Sequence, residues 1–222
     1  MKTGSDRKKS IKLSWLGHAM FLIEGSDGIK ILTDPYSEKT GYSIPEVNAD
    51  IVTVSHHHYD HDNVGRIDGS PEVIESAGRF VIGSIIIEGI PSYHDEVKGK
   101  KRGENIIFKF ILDQLVIAHM GDYGQSITEE QLAMLKDIDI LLIPVGGTYT
   151  IDSEQAAEIV QRIKSKIVVP MHYKTKDCVI KVDTVEPFLR KMPVIKQKES
   201  SVRLSASEIP DETEVWVMDY IQ

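Results

Sequence analysis

The sequence contains little of what several protein classes require. Its 222 residues include one cysteine, Cys178, which excludes an intrachain disulfide; we expect an inert thiol and a reducing, cytoplasmic compartment. There are 26 basic against 34 acidic residues, and the net charge of −8 argues against binding nucleic acid through bulk charge. Lys12, His18 and Glu24 interrupt the first apolar run, so we expect neither a signal peptide nor a membrane span.

The remaining composition is that of an ordinary globular protein. Hydrophobic residues make up 41% of the chain and charged residues 27%. The length is sufficient for a single domain with a substantial core, which we assign to residues 10–222. We expect residues 1–9, which are polar and basic, to form a disordered tail.

The most informative stretch is residues 55–62, where three consecutive histidines are followed by a tyrosine, an aspartate, a histidine and another aspartate. It follows residues 50–54, an apolar, β-branched run that predicts a buried strand. Four side chains here suit a divalent metal, and they are His56, His58, Asp60 and His61. Imidazole and carboxylate ligands are typical of zinc and also suit iron or manganese.

The spacing indicates how these side chains are arranged. On an extended chain His56, His58 and Asp60 share one face, because successive side chains point to opposite sides. His61 breaks that alternation, so we expect a turn just after Asp60, with Asp60 or Asp62 capping a short helix. One strand end would then serve two metals.

A less specific explanation is a histidine-rich surface loop or an affinity-tag-like tract. A tag would lie at a terminus, whereas this run ends a hydrophobic strand, so we favour the metal site. His57 has the opposite parity from its neighbours and is expected to face solvent or to support a ligand.

The rest of the chain predicts short strands in the first half and helices mainly in the second. Turns at residues 24–28 and 113–114 predict two hairpins. Thr128 and Asp152 mark the starts of helices, the first ending near Ile138, and residues 183–191 predict a short helix. A weak internal repeat pairs Ile29–Asp34, Asp50–Ser55 and Arg79–Gly83 with three later strands, which suggests two similar halves packed face to face.

The scattered histidines complete the candidate site. His94, His119 and His172 fall at or near predicted strand ends, where side chains from different strands converge. His94, Asp122 and His172 are the best candidates for completing two metal sites. Taken singly, either histidine would fit a hydrogen-bonded core position, and Asp122 a turn after Gly121.

These residues resemble a known family. The spacing of residues 56–61 resembles the signature of the metallo-β-lactamase-fold hydrolase superfamily. The other elements of that family are matched in chain order by Asp34, His94, Asp122 and His172. Four short motifs resemble a small bacterial branch with L-ascorbate-6-phosphate lactonase-like proteins and hydrolases of unknown substrate: Gly17-His18, His119-Met-Gly-Asp122, Ile143-Pro-Val-Gly-Gly147 and Val169-Pro-Met-His-Tyr173.

The resemblance implies a four-layer αβ/βα sandwich, of mixed α/β class, with a dinuclear metal site between its two sheets. It implies two ligand sets joined by a bridging Asp122: His56, His58 and His94 on one metal, and Asp60, His61 and His172 on the other. Asp34 would hold a ligand imidazole through its second nitrogen.

Other polar residues have alternative roles. His18 interrupts a strand beside a glycine, which fits contact with substrate or a buried, hydrogen-bonded position. His119 is a catalytic candidate for which we favour a supporting role, because it does not share the face of Asp122. Tyr173 and Lys174 would be in reach of a substrate anion, although such exposed pairs are common.

We therefore expect a metal-dependent hydrolase that uses a metal-bound hydroxide, oriented by Asp60, on a small ester, lactone or phosphoester. The expected cofactors are two divalent ions, zinc before manganese or iron, and the expected partner is a small molecule without nucleic acid or membrane. Three alternatives are a phosphodiesterase or nuclease, a non-enzymatic metal sensor, and a di-iron oxidoreductase. The oligomeric state is open.

Overall fold

A computed structural model describes residues 9–221 of the chain. The tail expected at residues 1–9 lies outside the described residues, apart from Lys9. The strands in chain order are β1 (Ile11–Gly17), β2 (Met20–Glu24), β3 (Lys30–Thr33), β4 (Ile51–Thr53), β5 (Glu72–Ile74), β6 (Gly78–Ile82), β7 (Ile85–Tyr93), β8 (Glu104–Leu112), β9 (Leu115–His119), β10 (Ile140–Pro144), β11 (Ile167–Met171), β12 (Ile195–Lys198), β13 (Ser201–Leu204) and β14 (Glu214–Met218). The α-helices are α1 (Glu129–Met134), α2 (Ser153–Ile163) and α3 (Glu186–Leu189), and short 3-10 helices span Glu38–Thr40, Val64–Arg66 and Ala206–Glu208.

The strands form two sheets, which confirms the predicted two-sheet α/β architecture. The first has six strands in the order β13-β1-β2-β3-β4-β5, and the second has eight in the order β12-β14-β11-β10-β9-β8-β7-β6. In the second sheet β9, β10 and β11 run parallel, and every residue of β10 and β11 is buried. Their continuous apolar sequence has the character of parallel strands covered on both faces.

The predicted hairpins are confirmed. Strands β2 and β3 pair antiparallel across the turn at residues 24–28, with Leu22 opposite Leu32. Strands β8 and β9 pair in the same way, and Asp113 and Gln114 turn with φ values of 50° and 66°. Asp and Asn-like residues tolerate this left-handed region better than most side chains, because their short polar groups bond locally.

Two predictions about the strands were wrong. Gly78, Gly83 and Gly89 predict that residues 71–90 form short strands broken at each glycine, but β7 continues through Gly89. A Cβ there would lie 2.7 Å from the Ser76 carbonyl oxygen, so the glycine admits a neighbouring backbone. The repeat was misassigned as well, because Arg79–Gly83 largely corresponds to β6 in the second sheet. The strand that follows β3 and β4 in parallel is instead β5.

The helix starts were predicted more accurately than the ends. Thr128 and Asp152 are the N-caps of α1 and α2, and both form complete capping boxes. Helix α1 ends at Met134, before the expected Ile138, and Asp137 adopts a left-handed φ of 58° that a continuing helix cannot contain. In the described part of the chain, none of the helices has the length and apolar character needed to cross a bilayer.

Candidate metal centre

The central stretch leaves strand β4 earlier than its alternation suggested. After Thr53 the chain bends, and the His61 and Asp62 amides both donate to the His58 carbonyl oxygen, at 2.8 and 3.1 Å. The expected extended run to Asp60 was therefore wrong, as was capping by Asp60 or Asp62; the next short helix is preceded by Asn63, without a side-chain cap. The turn separates Asp60 from His56 and His58.

The structure nevertheless brings together all seven predicted ligands. Donor atoms within 4.8 Å of one another define an outer group, which consists of His56, His58 and His94. By the same criterion they define an inner group, which consists of His18, Asp60, His61 and His172. The two groups differ in depth: His58 reaches the surface, whereas three of the four inner side chains are at most 1% exposed and Asp60 is 9% exposed.

Asp122 lies between the two groups. Its Oδ2 atom is 3.2 Å from His94 Nε2 in the outer group and 3.3 Å from His172 Nε2 in the inner group. Its Oδ1 atom is 3.2 Å from His61 Nε2. One carboxylate therefore contacts both groups, Oδ2 on the outer and the inner side and Oδ1 on the inner side, as a bridging ligand would.

Several polar atoms at this position have no hydrogen-bond partner within residues 9–221. They are His18 Nδ1, His61 Nε2, His94 Nδ1, both ring nitrogens of His172, and Asp122 Oδ1. His61 Nε2 and Asp122 Oδ1 are close enough to interact but do not have hydrogen-bond geometry. Buried polar atoms are normally paired, so this set fits a cation that accepts lone pairs from several directions.

Electrostatics distinguish the two groups as well. Burial is the main reason that the pKa values of His56 and His58 are lowered, which keeps these imidazoles neutral and available to a metal. Burial also lowers the pKa of His61, but the carboxylates of Asp122 and Asp34 outweigh it and raise that pKa well above its ordinary value. A divalent cation bound here would take the place of the proton on His61.

Asp34 supports the inner group through hydrogen bonds to His61 and Ser55. Its Oδ2 atom accepts from His61 Nδ1 at 2.9 Å and from Ser55 Oγ at 2.6 Å, and its Oδ1 atom accepts from the Ser55 amide at 2.8 Å. The residue follows β3 with a left-handed φ of 39°. Burial opposes ionisation, yet the His61 hydrogen bond and its charge lower the pKa of Asp34. The carboxylate orients the His61 ring with Nε2 toward Asp122, as expected of a residue that supports a metal ligand.

His18 is fully buried and lies beside Asp60. Its Nε2 atom is 3.2 Å from Asp60 Oδ2, and its carbonyl oxygen accepts from the His172 amide. Burial and the nearby His172 lower the pKa of His18 to about 4, so the ring is neutral near pH 7. These contacts correspond to the buried, hydrogen-bonded alternative, and they add His18 to the inner group.

His119 uses both ring nitrogens on the backbone. Its Nε2 atom donates to the Ala19 carbonyl oxygen at 2.8 Å, and its Nδ1 atom accepts from the Gly121 amide at 3.2 Å. The ring is completely buried and leaves no nitrogen for substrate. His119 therefore positions the loop that carries Asp122, rather than contacting the reacting groups.

That loop passes close to the first sheet. Gly121 has a φ of 58°, and a Cβ at this residue would lie 2.4 Å from Asn105 Oδ1 and 2.6 Å from Ser55 Cβ. The Asn105 side chain accepts from the Asp122 amide at 2.9 Å. A larger residue than glycine would push Asp122 away from the histidines.

A cavity of about 340 Å³ opens in front of the centre. Its lining consists of His58, Tyr59, Asp60, His94, Arg102, Asp122, Tyr149 and Ile180. His57 is outside this lining and exposed. Tyr173 and Lys174 are not placed to reach a substrate anion, as the sequence had suggested. Tyr173 is buried against Trp15, and Lys174 Nζ donates to the Cys178 carbonyl oxygen.

Arg102 was missed as a site residue by sequence reasoning. The sequence shows a basic cluster at residues 98–102, which is usually a solvated surface loop. The structure places that loop between β7 and β8, directly after His94, and turns only the arginine to the cavity.

A protein-family model, that of the Beta-lactamase superfamily domain, matches residues 12–172 of this sequence. The chain belongs to this superfamily. A UPF0173 metal-dependent hydrolase of Pelotomaculum thermopropionicum is 33% identical over 74% of this chain and 85% of its own length. Another from Thermoplasma volcanium is 30% identical, over 78% and 87% respectively.

A solved structure is also similar to this chain. A proposed Zn-dependent hydrolase of the metallo-beta-lactamase superfamily from Thermotoga maritima is 34% identical, with a TM-score of 0.79. The match covers 95% of this chain and 100% of that one. The predicted superfamily is thereby confirmed, and the chain is a member of a family of metal-dependent hydrolases.

Proposed function

We propose that the protein hydrolyses a small ester, lactone or phosphoester with two divalent cations, zinc being the first candidate. The outer group would hold one cation and Asp60, His61 and His172 the other, with Asp122 shared between them. The observation that carries the proposal is the set of unpaired polar atoms around Asp122, which bound cations would satisfy. We also propose a cytoplasmic location, consistent with a single buried thiol.

When bound, the cations would supply a nucleophile at neutral pH, by lowering the pKa of a water, and would polarise the substrate oxygen. The chain's own residues prepare this chemistry. Asp60 lies at the cavity wall, and the attacking water would donate a hydrogen bond to it. His18 fixes the Oδ2 atom of Asp60, and Asp34 fixes the ring of His61, so neither needs to reorganise during the reaction.

The cavity favours a small substrate. Its volume of about 340 Å³ is at the lower end for small-molecule sites. Tyr59, Tyr149 and Ile180 provide non-polar wall, and Arg102 is its one cationic side chain. A nucleic acid strand needs a continuous basic groove, which this lining lacks.

The test combines metal content with turnover. Protein purified without chelator or affinity metal would be analysed for metal per chain, and then assayed with 4-nitrophenyl acetate and bis-4-nitrophenyl phosphate. His58→Ala should lose metal and activity, and the matched control His57→Ala should retain both, because the His57 side chain is 64% exposed.

The two substrates separate acyl from phosphoryl transfer, and the second one tests the phosphodiesterase alternative. Protein that contains two cations and turns over neither substrate would contradict the hydrolase proposal and favour a metal-binding sensor. Protein that binds no cation after reloading with zinc, manganese and iron would contradict the dinuclear centre itself.

A further inference from the structure

We propose that the substrate carries an anionic group, carboxylate or phosphate, remote from the scissile bond, and that Arg102 binds this group. The inference rests on the proposed hydrolytic function and specifies its substrate class. It starts from the basic cluster at residues 98–102, which the mechanism does not use. Lys98, Lys100 and Lys101 are exposed, whereas Arg102 is half-buried at the cavity.

The guanidinium is held in place without a carboxylate partner. Arg102 Nη2 donates to the Thr148 carbonyl oxygen at 2.9 Å, and Arg102 Cζ is 5.6 Å from the centre of the Tyr149 ring. Among the described residues no carboxylate pairs with it, although the protein has eight more acidic than basic residues. A guanidinium has five N–H donors in a planar fork, so donors remain for an oxyanion.

The loop that carries Arg102 is ordered by one buried carboxylate. Asp95, the residue after His94, accepts backbone hydrogen bonds from Val97 and Gly99 on Oδ1. Its Oδ2 atom accepts from the Lys101 and Arg102 amides, both at 2.8 Å. These four bonds fix the loop beside a candidate ligand, so the arginine is pre-organised relative to the metal centre.

The cavity lining contains two kinds of surface. Asp122, Asp60 and the histidines lie at the centre, where the reacting group would bind. Tyr59, Tyr149 and Ile180 form non-polar wall, and Arg102 is the cation of the lining. A substrate with a reactive ester at one end, a short non-polar body and an anion at the other end matches this arrangement.

A purely structural arginine would bind Thr148 and Tyr149 only. Substituting such a residue would lower stability, and it would reduce the turnover of all substrates to the same extent. The discriminating quantity is therefore the preference for an anionic over a neutral substrate of the same shape, measured as a ratio of kcat/KM values.

The experiment uses zinc-loaded protein of equal metal content and two pairs of esters. The pairs are 4-nitrophenyl 4-methylbenzoate with 4-nitrophenyl hydrogen terephthalate, and 4-nitrophenyl trans-4-methylcyclohexanecarboxylate with the mono-4-nitrophenyl ester of trans-cyclohexane-1,4-dicarboxylic acid, whose rigid bodies prevent the carboxylate from attacking its own ester. The variants are Arg102→Gln and Arg102→Lys, and Lys101→Gln is the control, because it removes one positive charge from an exposed position of the same loop. Inhibition by benzoate and by phenyl phosphate distinguishes carboxylate from phosphate as the better bound anion.

We expect the wild type to prefer one of the anionic esters at least tenfold. Arg102→Gln should reduce that preference at least tenfold, mainly through KM, Arg102→Lys should retain part of it, and Lys101→Gln should leave it unchanged. The inference is overturned if the wild type hydrolyses both members of each pair equally, or if Arg102→Gln leaves the preference intact; both results leave the hydrolase function standing.

A binding measurement separates the two hypotheses if no ester is turned over. Calorimetric titration of glutarate and phenyl phosphate into zinc-loaded wild type and Arg102→Gln compares anion binding with and without the guanidinium, since any binding to the metal centre is common to both proteins. Binding that is weakened at least tenfold by the substitution supports the anion site even where the ester assay contradicts the hydrolase function. Equal binding, or none, overturns the inference.

Discussion

The outer and inner groups of the centre are built differently. His58 reaches the surface and lines the cavity, and among the described residues its ring has one hydrogen bond, from Nδ1 to the neighbouring His56 Nε2 atom at 3.0 Å. In the inner group, the His61 ring is anchored by Asp34 and Asp60 by His18, and both anchoring side chains are fully buried. Within residues 9–221 the outer group has one such anchor, Ser55 Oγ on His56 Nδ1 at 3.0 Å, so the inner group is the more firmly supported half and the outer group the side more open to ligand exchange.

The supports of the inner group also involve unusual backbone. His18, Asp34 and His172 all have φ values between 39° and 52°, in the left-handed region that side chains other than glycine seldom adopt. Each of them directly follows a strand. A left-handed residue turns the chain sharply at the sheet edge, and its cost of about 1–2 kcal/mol is accepted where the side chain is needed at the site.

The largest effect should come from Asp122→Asn, which removes the charge shared by both groups. We expect both cations to bind at least about 100-fold more weakly and activity to fall in proportion, since the outer group loses its one carboxylate and the inner group keeps only Asp60. Elemental analysis after dialysis and an ester assay would measure this. Asp68→Asn, at an exposed carboxylate, is the control. Loss of only one cation would show that Asp122 belongs to a single group.

His58→Ala should affect the outer group of the metal centre only. It removes an outer ligand, so the metal content should fall by one cation per chain while the inner cation remains. Anomalous diffraction at the zinc edge would identify the occupied position. His57→Ala should change the free energy of unfolding by less than about 0.5 kcal/mol, as for most exposed positions. Simultaneous loss of both cations would refute the independence of the two halves.

Asp34→Asn should weaken the inner cation by about 10- to 100-fold, the usual effect of losing a ligand's supporting partner. Asparagine tolerates the positive φ and can still accept from the Ser55 amide, so the main loss is the anionic acceptor for His61. Competition with a metallochromic indicator measures the affinity. An unchanged affinity at the inner position would show that the rigidity of this group has another source.

His18→Asn should have the smallest effect of the four. It removes a single hydrogen bond to Asp60 at a φ of 52° that asparagine also tolerates. We expect the inner cation to bind about fivefold more weakly, the equivalent of about 1 kcal/mol. The same indicator titration applies, with His119→Asn for comparison; that change should lower thermal stability without altering metal stoichiometry, because both ring nitrogens of His119 are hydrogen-bonded to backbone groups, those of Ala19 and Gly121.

Local patterns in the sequence predicted much of this molecule. Apolar, β-branched runs predicted most strands, and the polar residues at their ends included all seven residues that the structure brings together. Strand ends converge at a sheet edge, so a scattered residue such as His94 or His172 could be placed without knowledge of its neighbours. The detailed path of the central stretch could not be predicted in this way. The turn at residues 56–62 depends on contacts such as those of Asp34, which is distant in sequence.

Two other features were missed for the same physical reason. Arg102 lines the cavity because Asp95 fixes its loop through four backbone hydrogen bonds, and a loop composition rich in lysine does not reveal that arrangement. Strand β13 is short and partly exposed, and its partner β1 lies almost the whole chain away. Pairing over such a separation leaves no local periodicity to read.

The position of β13 has a consequence for biosynthesis. On a ribosome, β1 is made well before β13, and Ser14 must wait for Ser201, 187 positions later, to complete its pairing. Until then the β1 side of the growing sheet is an open edge, and open edges are templates for association with other chains. We therefore expect nascent or truncated chains that lack β13 to depend on chaperones more strongly than their apolar content suggests.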